Sequence, residues 1–172
     1  FLNNWRLRDF VYLLVLTAGS IFYSGYFVAY ADDQLYLPAL FQKIDPSLYQ
    51  GDYISFEPLK TLTIFTDIEY FLYRLFSGNL IVSLFPLYFI AKFLIFLGIY
   101  QLSITLFQSR LAAFGSVLTL FLPISLGRTG INTLELSLVP RMLSLGLALL
   151  FLNSLLRHHL VFSSLFLSLV LL

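Results

Sequence analysis

Long apolar stretches limit what this chain can fold into more than any other feature of its sequence. Residues 10–30 carry no charged side chain and are long enough to cross a bilayer as a helix, which takes about 20 residues. Further apolar stretches cover residues 80–107, 111–126, 134–156 and 160–172. Charged residues make up only 11% of the chain, whereas a soluble domain carries about 25%. The sequence therefore predicts an all-α fold, a polytopic transmembrane helix bundle.

The five predicted spans belong to a single transmembrane domain, residues 1–172, with a long polar loop at residues 31–79 between the first two spans. Within that loop, residues 63–77 carry apolar and polar side chains on opposite faces at helical spacing, which predicts a short amphipathic helix that lies along the membrane surface or docks on the bundle. The chain begins with Phe1 rather than Met and ends inside an apolar stretch, so we expect it to be a piece of a longer protein.

Charge distribution predicts the orientation of the chain in the membrane. Cytoplasmic segments carry an excess of Lys and Arg, and here four arginines flank the predicted spans at one end: Arg6, Arg8, Arg110 and Arg157. Seven of the nine acidic residues fall instead in the 31–79 loop: Asp32, Asp33, Asp45, Asp52, Glu57, Asp67 and Glu69. We therefore predict a cytoplasmic amino terminus and an outer position for residues 31–79, in a membrane that we expect to be a bacterial inner membrane.

Composition also excludes several kinds of site. The chain has no Cys, which rules out disulfides and thiolate chemistry, and a net charge of +1 gives no reason to expect nucleic-acid binding. No zinc-protease, serine-hydrolase or phosphate-loop motif occurs. The adjacent His158 and His159 are candidates for metal binding, but a pair of histidines beside Arg157 is more typical of a basic cytoplasmic turn.

The adjacent carboxylates Asp32 and Asp33 are the candidate catalytic residues, because they follow the first predicted span directly. One of them would act as a general base, or the two together would hold a divalent metal ion, with Gln34 and Tyr36 as supporting residues. Two carboxylates this close repel each other when both are ionised, so the protonation of one depends on that of the other. The alternative is a solvated helix cap with no catalytic role.

Arg141 and Arg128 are candidates for binding a phosphate group at the same outer side, with Glu135 as a supporting residue. The planar guanidinium suits phosphate oxygens, whereas the alternative is an Arg that reaches the interface or pairs with Glu135 for structural reasons. We place Arg141 about two helical turns, or about 10 Å, below the start of a helix at Leu134. Lys92, inside a predicted span, would mark a polar cavity or would reach the interface through its flexible stem.

The layout of the chain resembles that of a known superfamily. An inner-to-outer helix, an Asp-Asp pair with a downstream Tyr, and a long outer loop with amphipathic helices look like the start of GT-C-type membrane glycosyltransferases. The segments DDQLYLPALFQKIDPSLYQGD and VPRMLSLGLALLFL are similar to a group of bacterial multi-pass proteins with this layout. The resemblance implies transfer of a sugar from a polyprenyl-phosphate donor to an acceptor at the outer membrane face. By position it implies Asp32 or Asp33 as base and Arg141 as donor-phosphate ligand.

Two other functions remain open from the sequence. One is a non-catalytic transmembrane subunit or scaffold that packs against other membrane proteins of a larger complex. The other is a transporter with Lys92 and Arg141 along its path. Carboxylates that point into bulk water would favour the scaffold, a cavity around Lys92 would favour transport, and an outward cavity shared by Arg141 and the acids would favour the enzyme. Membrane lipid is an expected partner in each case.

Overall fold

The computed structural model describes residues 7–30, 32–49, 64–121 and 134–171, and within these ranges the regular structure is helical with no strand. The predicted all-α class is therefore confirmed for this part of the chain. In chain order the helices are α1 (Leu7–Ser24), α2 (Asp33–Ile44), α3 (Phe65–Leu75), α4 (Leu80–Phe107), α5 (Arg110–Phe121), α6 (Pro140–Leu156) and α7 (Leu160–Leu171). The side chains of Asp33 and Leu171 lie outside the described part.

Helix α4 lies at the centre of the fold. It has 28 residues, a length of about 42 Å at 1.5 Å per residue, and it packs against α1, α3, α5 and α6. The Asn79 side chain caps its start by accepting a hydrogen bond from the Val82 backbone N–H at 3.1 Å. Its end is marked by Gln108 in the left-handed conformation. Its bounds coincide with the predicted span 80–107.

The most extensive helix contact joins α4 to α6, and two glycines allow the close approach. A Cβ atom at Gly98 would lie 2.6 Å from the Leu149 Cβ, and one at Gly146 would lie 2.7 Å from the Leu94 Cβ. Side chains of any other residue would force these helices apart. Small residues at such crossings are common where helices associate in membranes.

Length and apolar composition make two helices, α1 and α4, candidates for crossing a membrane. The other apolar helices, α5, α6 and α7, are shorter. Residues 111–126 were predicted as one span, and α5 ends at Phe121 within the described part, while residues 122–126 lie outside it. Helix α6 is shorter than the predicted span 134–156, whereas α7 coincides with the predicted apolar stretch 160–172 within the described residues.

Two predicted helix bounds are wrong, and both errors fall at the same place. Helix α1 ends at Ser24 rather than Tyr30, because Gly25 adopts a φ of +83° and closes the last turn. Helix α6 begins at Pro140 rather than Leu134, and Pro at the first helical position is a common start. The residues freed from the two helices, 25–30 and 134–139, form what we call the seam.

Main-chain and side-chain hydrogen bonds hold the two stretches of the seam together. The backbone N–H of Phe27 donates to the carbonyl of Leu136 at 2.9 Å, and the Ser137 hydroxyl donates to the carbonyl of Tyr30 at 3.0 Å. Burial is complete or nearly complete for Ser137, Leu138 and Val139, which are 0%, 1% and 1% exposed. The 134–139 stretch of the seam is thus packed into the core, whereas Phe27, Ala29 and Tyr30 of the 25–30 stretch are exposed.

Helices α2 and α3 come from the predicted outer loop and contact each other, with Lys43 of α2 paired to Asp67 of α3. The predicted helix 63–77 is found as α3. Of its predicted apolar side chains, Phe65 is buried and Ile68 and Leu72 pack against the core, whereas Leu75 is exposed. Helix α3 packs against α2 and α4, and Thr66 and Glu69, which the spacing placed outside that face, are buried as well.

Candidate functional site

Arg141 brings two of the predicted site residues together. It is the second residue of α6, and its Nη1 donates to Oδ2 of Asp32 at 2.5 Å, while its Nη2 donates to Oε1 of Glu135. The side chains of Arg141 and Asp32 are 54% and 43% exposed, whereas that of Glu135 is only 9% exposed. We call Asp32, Glu135 and Arg141 the carboxylate–arginine triad. It has one buried end and one end open to solvent.

The seam places the two carboxylates beside Arg141. Asp32 follows a turn at Ala29, whose φ is +61° and whose carbonyl accepts a hydrogen bond from the Gln34 side chain at 2.9 Å. Glu135 lies in the 134–139 stretch, and its backbone carbonyl accepts a hydrogen bond from the Tyr88 hydroxyl at 3.1 Å. Pro140 then starts α6 and fixes the position of Arg141 one residue later. Two distant chain segments, one with Asp32 and one with Glu135 and Arg141, therefore meet at one guanidinium.

Lys92 lies behind the triad, on the inner side of Tyr88. Its side chain is 1% exposed, so it does not reach an interface as one reading of the sequence suggested. Its Nζ lies 3.1 Å from the Ser24 Oγ and 3.4 Å from the Tyr88 Oη, and it sits over the Tyr88 ring at 5.5 Å from the centroid. Ser24 in turn donates to the carbonyl of Ser20 at 2.7 Å. A buried polar chain thus runs from the end of α1, through Lys92 and Tyr88, to the backbone of Glu135.

The other predicted site residues have different positions. Asp33 is the first residue of α2, but its side chain lies outside the described part, and Arg128 falls in residues 122–133, which also lie outside it. Gln34 stabilises the turn before α2, and Tyr36 packs partly buried against the core. Arg141 lies in the first turn of α6 and not two turns below its start, because residues 134–139 are not helical.

Sequence reasoning missed several buried polar residues. Tyr88 and Ser24 carry no signal of their own, since one Tyr or Ser inside an apolar stretch says nothing about its partner. At the opposite end of α4, the Asn153 side chain donates to Gln101 Oε1 at 2.8 Å and accepts from Thr105 at 2.6 Å. Arg157 donates to the same Thr105 hydroxyl at 2.8 Å. A polar residue that recurs at helical spacing in facing spans is the only signal that would have indicated this cluster.

The described residues contain no cluster of side chains that could hold a metal ion. Within the ranges that the structure describes, no three His, Asp or Glu side chains come together. The two imidazoles are separated in role as well: His158 ends α6 with a φ of +57°, and the His159 ring packs edge-on against Phe162. A metal at Asp32 would have to displace Arg141 from the carboxylate. The geometry thus favours charge pairing with Arg141 over metal binding at Asp32.

The triad does not line either of two cavities in the described part of the chain. The first has a volume of about 300 Å³, and it opens between α2 and α3. A second cavity, of about 400 Å³, lies between α4 and α5 and is lined by Ile99, Leu102, Ser103, Leu106, Ser116, Thr119 and Leu120. The lining of neither one contains Lys92. No family model, curated protein or solved structure matches this chain at a significant level.

Proposed function

We propose that this chain lies in a bacterial inner membrane as a polytopic helix bundle, with its amino terminus in the cytoplasm and residues 31–79 outside. The distribution of side chains supports this placement. Large apolar side chains are exposed, among them Phe22 at 93% and Val161 at 80%, while the polar side chains of Lys92, Gln101 and Asn153 are buried. Soluble proteins rarely expose such apolar surface, whereas proteins in lipid turn their ionisable residues inward.

The depth of the triad follows from the length of α4. At about 42 Å, α4 exceeds the hydrocarbon thickness of about 30 Å by about 12 Å. Tyr88 lies eight residues after Leu80, which is about 12 Å along the helix axis. With the carboxyl end of α4 at the inner interface, Tyr88 and the Glu135 carbonyl that it contacts lie at the outer interface. The triad then sits at the level of lipid headgroups.

For the activity, we propose sugar transfer from a polyprenyl-phosphate donor, as the GT-C-type resemblance implies. One observation carries this proposal: Arg141 holds Asp32 at the open rim while its other nitrogen is anchored by the nearly buried Glu135. A carboxylate and a guanidinium side by side at headgroup depth are what a base and a phosphate ligand for a lipid-linked donor require. By the criterion given in the sequence analysis, an exposed Asp32 that lines neither cavity favours the scaffold, which therefore stays the alternative function.

The proposed reaction uses these two groups in one displacement. Asp32 accepts the proton of the acceptor hydroxyl as that oxygen forms a bond to the anomeric carbon of the donor sugar. The bond from the anomeric carbon to the phosphate oxygen breaks, and polyprenyl phosphate leaves with the electron pair. Arg141 exchanges its contact with Asp32 for the leaving phosphate and stabilises its charge. Glu135 keeps the guanidinium in place during that exchange.

The orientation can be tested directly because the chain contains no Cys. Single cysteines at Gln50 and Ser109, in the intact protein, are labelled in whole cells with a membrane-impermeant maleimide. We expect Gln50→Cys to react in intact cells and Ser109→Cys to react only after permeabilisation. Labelling of both positions from the same side would refute the proposed orientation.

The activity is tested with the intact protein in proteoliposomes that contain radiolabelled polyprenyl-phosphate sugars and bacterial envelope lipids and glycans as acceptors. We expect Asp32→Asn to reduce transfer by a factor of about 10²–10⁴, as loss of a general base does. Arg141→Met should chiefly raise the apparent KM for the donor, by about 10–100-fold, because a charged hydrogen bond is lost.

The matched control is Asp45→Asn, an exposed acid of the same 31–79 segment whose side chain contacts only its near neighbour Ser47 among the described residues. It should transfer sugar as the wild type does. If Asp32→Asn, Asp33→Asn and the double variant all keep wild-type transfer, the enzymatic proposal fails and the scaffold function takes its place.

A further inference from the structure

The cavity between α2 and α3 has the lining of a small polar ligand site. Ala39, Gln42, Lys43 and Pro46 line it from α2 and the turn that follows, and Thr66 and Asp67 line it from α3. It is therefore walled by an amide, a hydroxyl and an ion pair, with two apolar side chains. At about 300 Å³ it lies at the small end of the range for ligand pockets.

Gln42 gives this lining an unsatisfied hydrogen-bond acceptor. Its Oε1 atom is buried and accepts no hydrogen bond from the described residues. A buried acceptor without a donor costs free energy, so a group that supplies an O–H or N–H would be stabilising there. The Thr66 hydroxyl beside it is nearly buried, and the Lys43–Asp67 pair closes one side.

We propose that this cavity binds one sugar ring of a glycan acceptor. A sugar ring presents several hydroxyls, which can donate to Gln42 Oε1 and to the Asp67 carboxylate and accept from Lys43. The apolar face of the ring fits against Ala39 and Pro46. This inference rests on the proposed sugar transfer and names the class of its acceptor.

Helix α2 connects the cavity to the triad. Asp32, Tyr36, Ala39 and Lys43 are spaced by four, three and four residues, so they lie along one face of the helix. The distance along that face from Asp32 to the cavity is about 15 Å at 1.5 Å per residue. A single sugar ring cannot span that distance. The acceptor is therefore an oligosaccharide or a glycolipid, with a remote ring in the cavity and its reactive hydroxyl at Asp32.

The test measures sugar binding without turnover, on the intact protein in lipid nanodiscs. The probes are free glucose, galactose, mannose and N-acetylglucosamine at millimolar concentration, observed by saturation-transfer NMR. We expect at least one of them to receive saturation, and Gln42→Leu to weaken its binding roughly tenfold, the effect of one lost hydrogen bond to a buried group. Gln42→Leu removes no hydrogen bond that Oε1 makes in the folded protein, so folding should not change.

A second test variant and a control variant make the outcome decisive. Thr66→Val should weaken binding as well, while Thr119→Val, the same change in the cavity between α4 and α5, should leave it unchanged. Absence of saturation for all four sugars, or equal binding by wild type and Gln42→Leu, overturns the sugar subsite. Sugar binding without any transfer by the wild type supports the subsite and counts against the proposed activity. Sugar transfer by a wild-type protein that binds none of the four free sugars supports the proposed activity and counts against the subsite.

Discussion

The two glycines between α4 and α6 give the sharpest test of the packing. In Gly98→Ala, the added Cβ would lie 2.6 Å from the Leu149 Cβ, whereas carbon atoms at van der Waals contact lie about 3.5–4.0 Å apart. The helices must therefore separate by about 1 Å at this point, and a gap of that size removes a quarter to a half of the dispersion energy of the neighbouring contacts. Gly146→Ala meets the same obstacle at 2.7 Å.

The expected magnitude is the difference of two terms. Overpacking of this kind costs about 1–3 kcal/mol, and Ala in place of Gly inside a helix returns about 1 kcal/mol. A net loss of up to about 2 kcal/mol therefore follows for each variant. Gly115→Ala is the matched control, because nothing lies within 4 Å of its added Cβ. Gly115→Ala should therefore be more stable than the wild type by about 1 kcal/mol, the difference in helix propensity between Ala and Gly.

The assay is reversible unfolding by SDS in mixed micelles, with the three variants measured side by side. We expect the free energy of unfolding to fall for Gly98→Ala and Gly146→Ala and to rise for Gly115→Ala. The double variant Gly98→Ala/Gly146→Ala should lose less than the sum of the single losses, since the first substitution has already separated the helices. A gain in stability at all three positions would refute the close α4–α6 approach.

Two further predictions concern charged groups. Double-mutant cycles at the triad measure how strongly Arg141 is coupled to each carboxylate. The coupling energy to the nearly buried Glu135 should exceed that to the half-exposed Asp32, for which we expect only about 0.2–1 kcal/mol. Equal coupling energies would contradict the geometry. Hydrogen bonds from the side chain and backbone of Ser47 hold the pKa of Asp45 below its ordinary value of 3.8, so the stabilisation of this turn is present above pH 3.8 and is lost as the pH falls through the lowered pKa. An NMR titration of Ser47→Ala should show that pKa return towards 3.8.

The sequence predicted helices well where their ends carry local signals. The bounds of α4 match because Asn79 caps its start and the polar Gln108 and Ser109 follow its end. The predicted α1 was too long because residues 25–30 are largely apolar. Apolar composition alone does not distinguish a helical segment from a non-helical one. Pro140 offered a start signal for α6, but the apolar character of the preceding residues outweighed it in the prediction.

The site was predictable in part for a similar reason. Asp32 and Arg141 were placed on the same side of the membrane from the alternation of spans, and the structure brings them into contact. The seam beside them was not predictable, since it is held by hydrogen bonds from Tyr88 to the Glu135 carbonyl and from Ser137 to the Tyr30 carbonyl, which join distant parts of the chain. Hydrogen bonds to backbone carbonyls leave no pattern in the sequence, because any residue supplies a carbonyl.

The hydrogen bonds of the seam lead us to expect that the charge of Asp32 can be removed without loss of the fold. Buried backbone polar groups need hydrogen-bond partners within the protein. Here the Phe27 N–H, the Ser137 hydroxyl and the Tyr88 hydroxyl supply those bonds, and none of them involves the side chain of Asp32 or Arg141. The ends of α1 and α6 are thus held by one set of contacts, while a separate set of charged side chains faces the rim. A loss of sugar transfer in Asp32→Asn would therefore report on chemistry, and a loss of folding would be expected only from changes such as Tyr88→Phe that remove a bond of the seam itself.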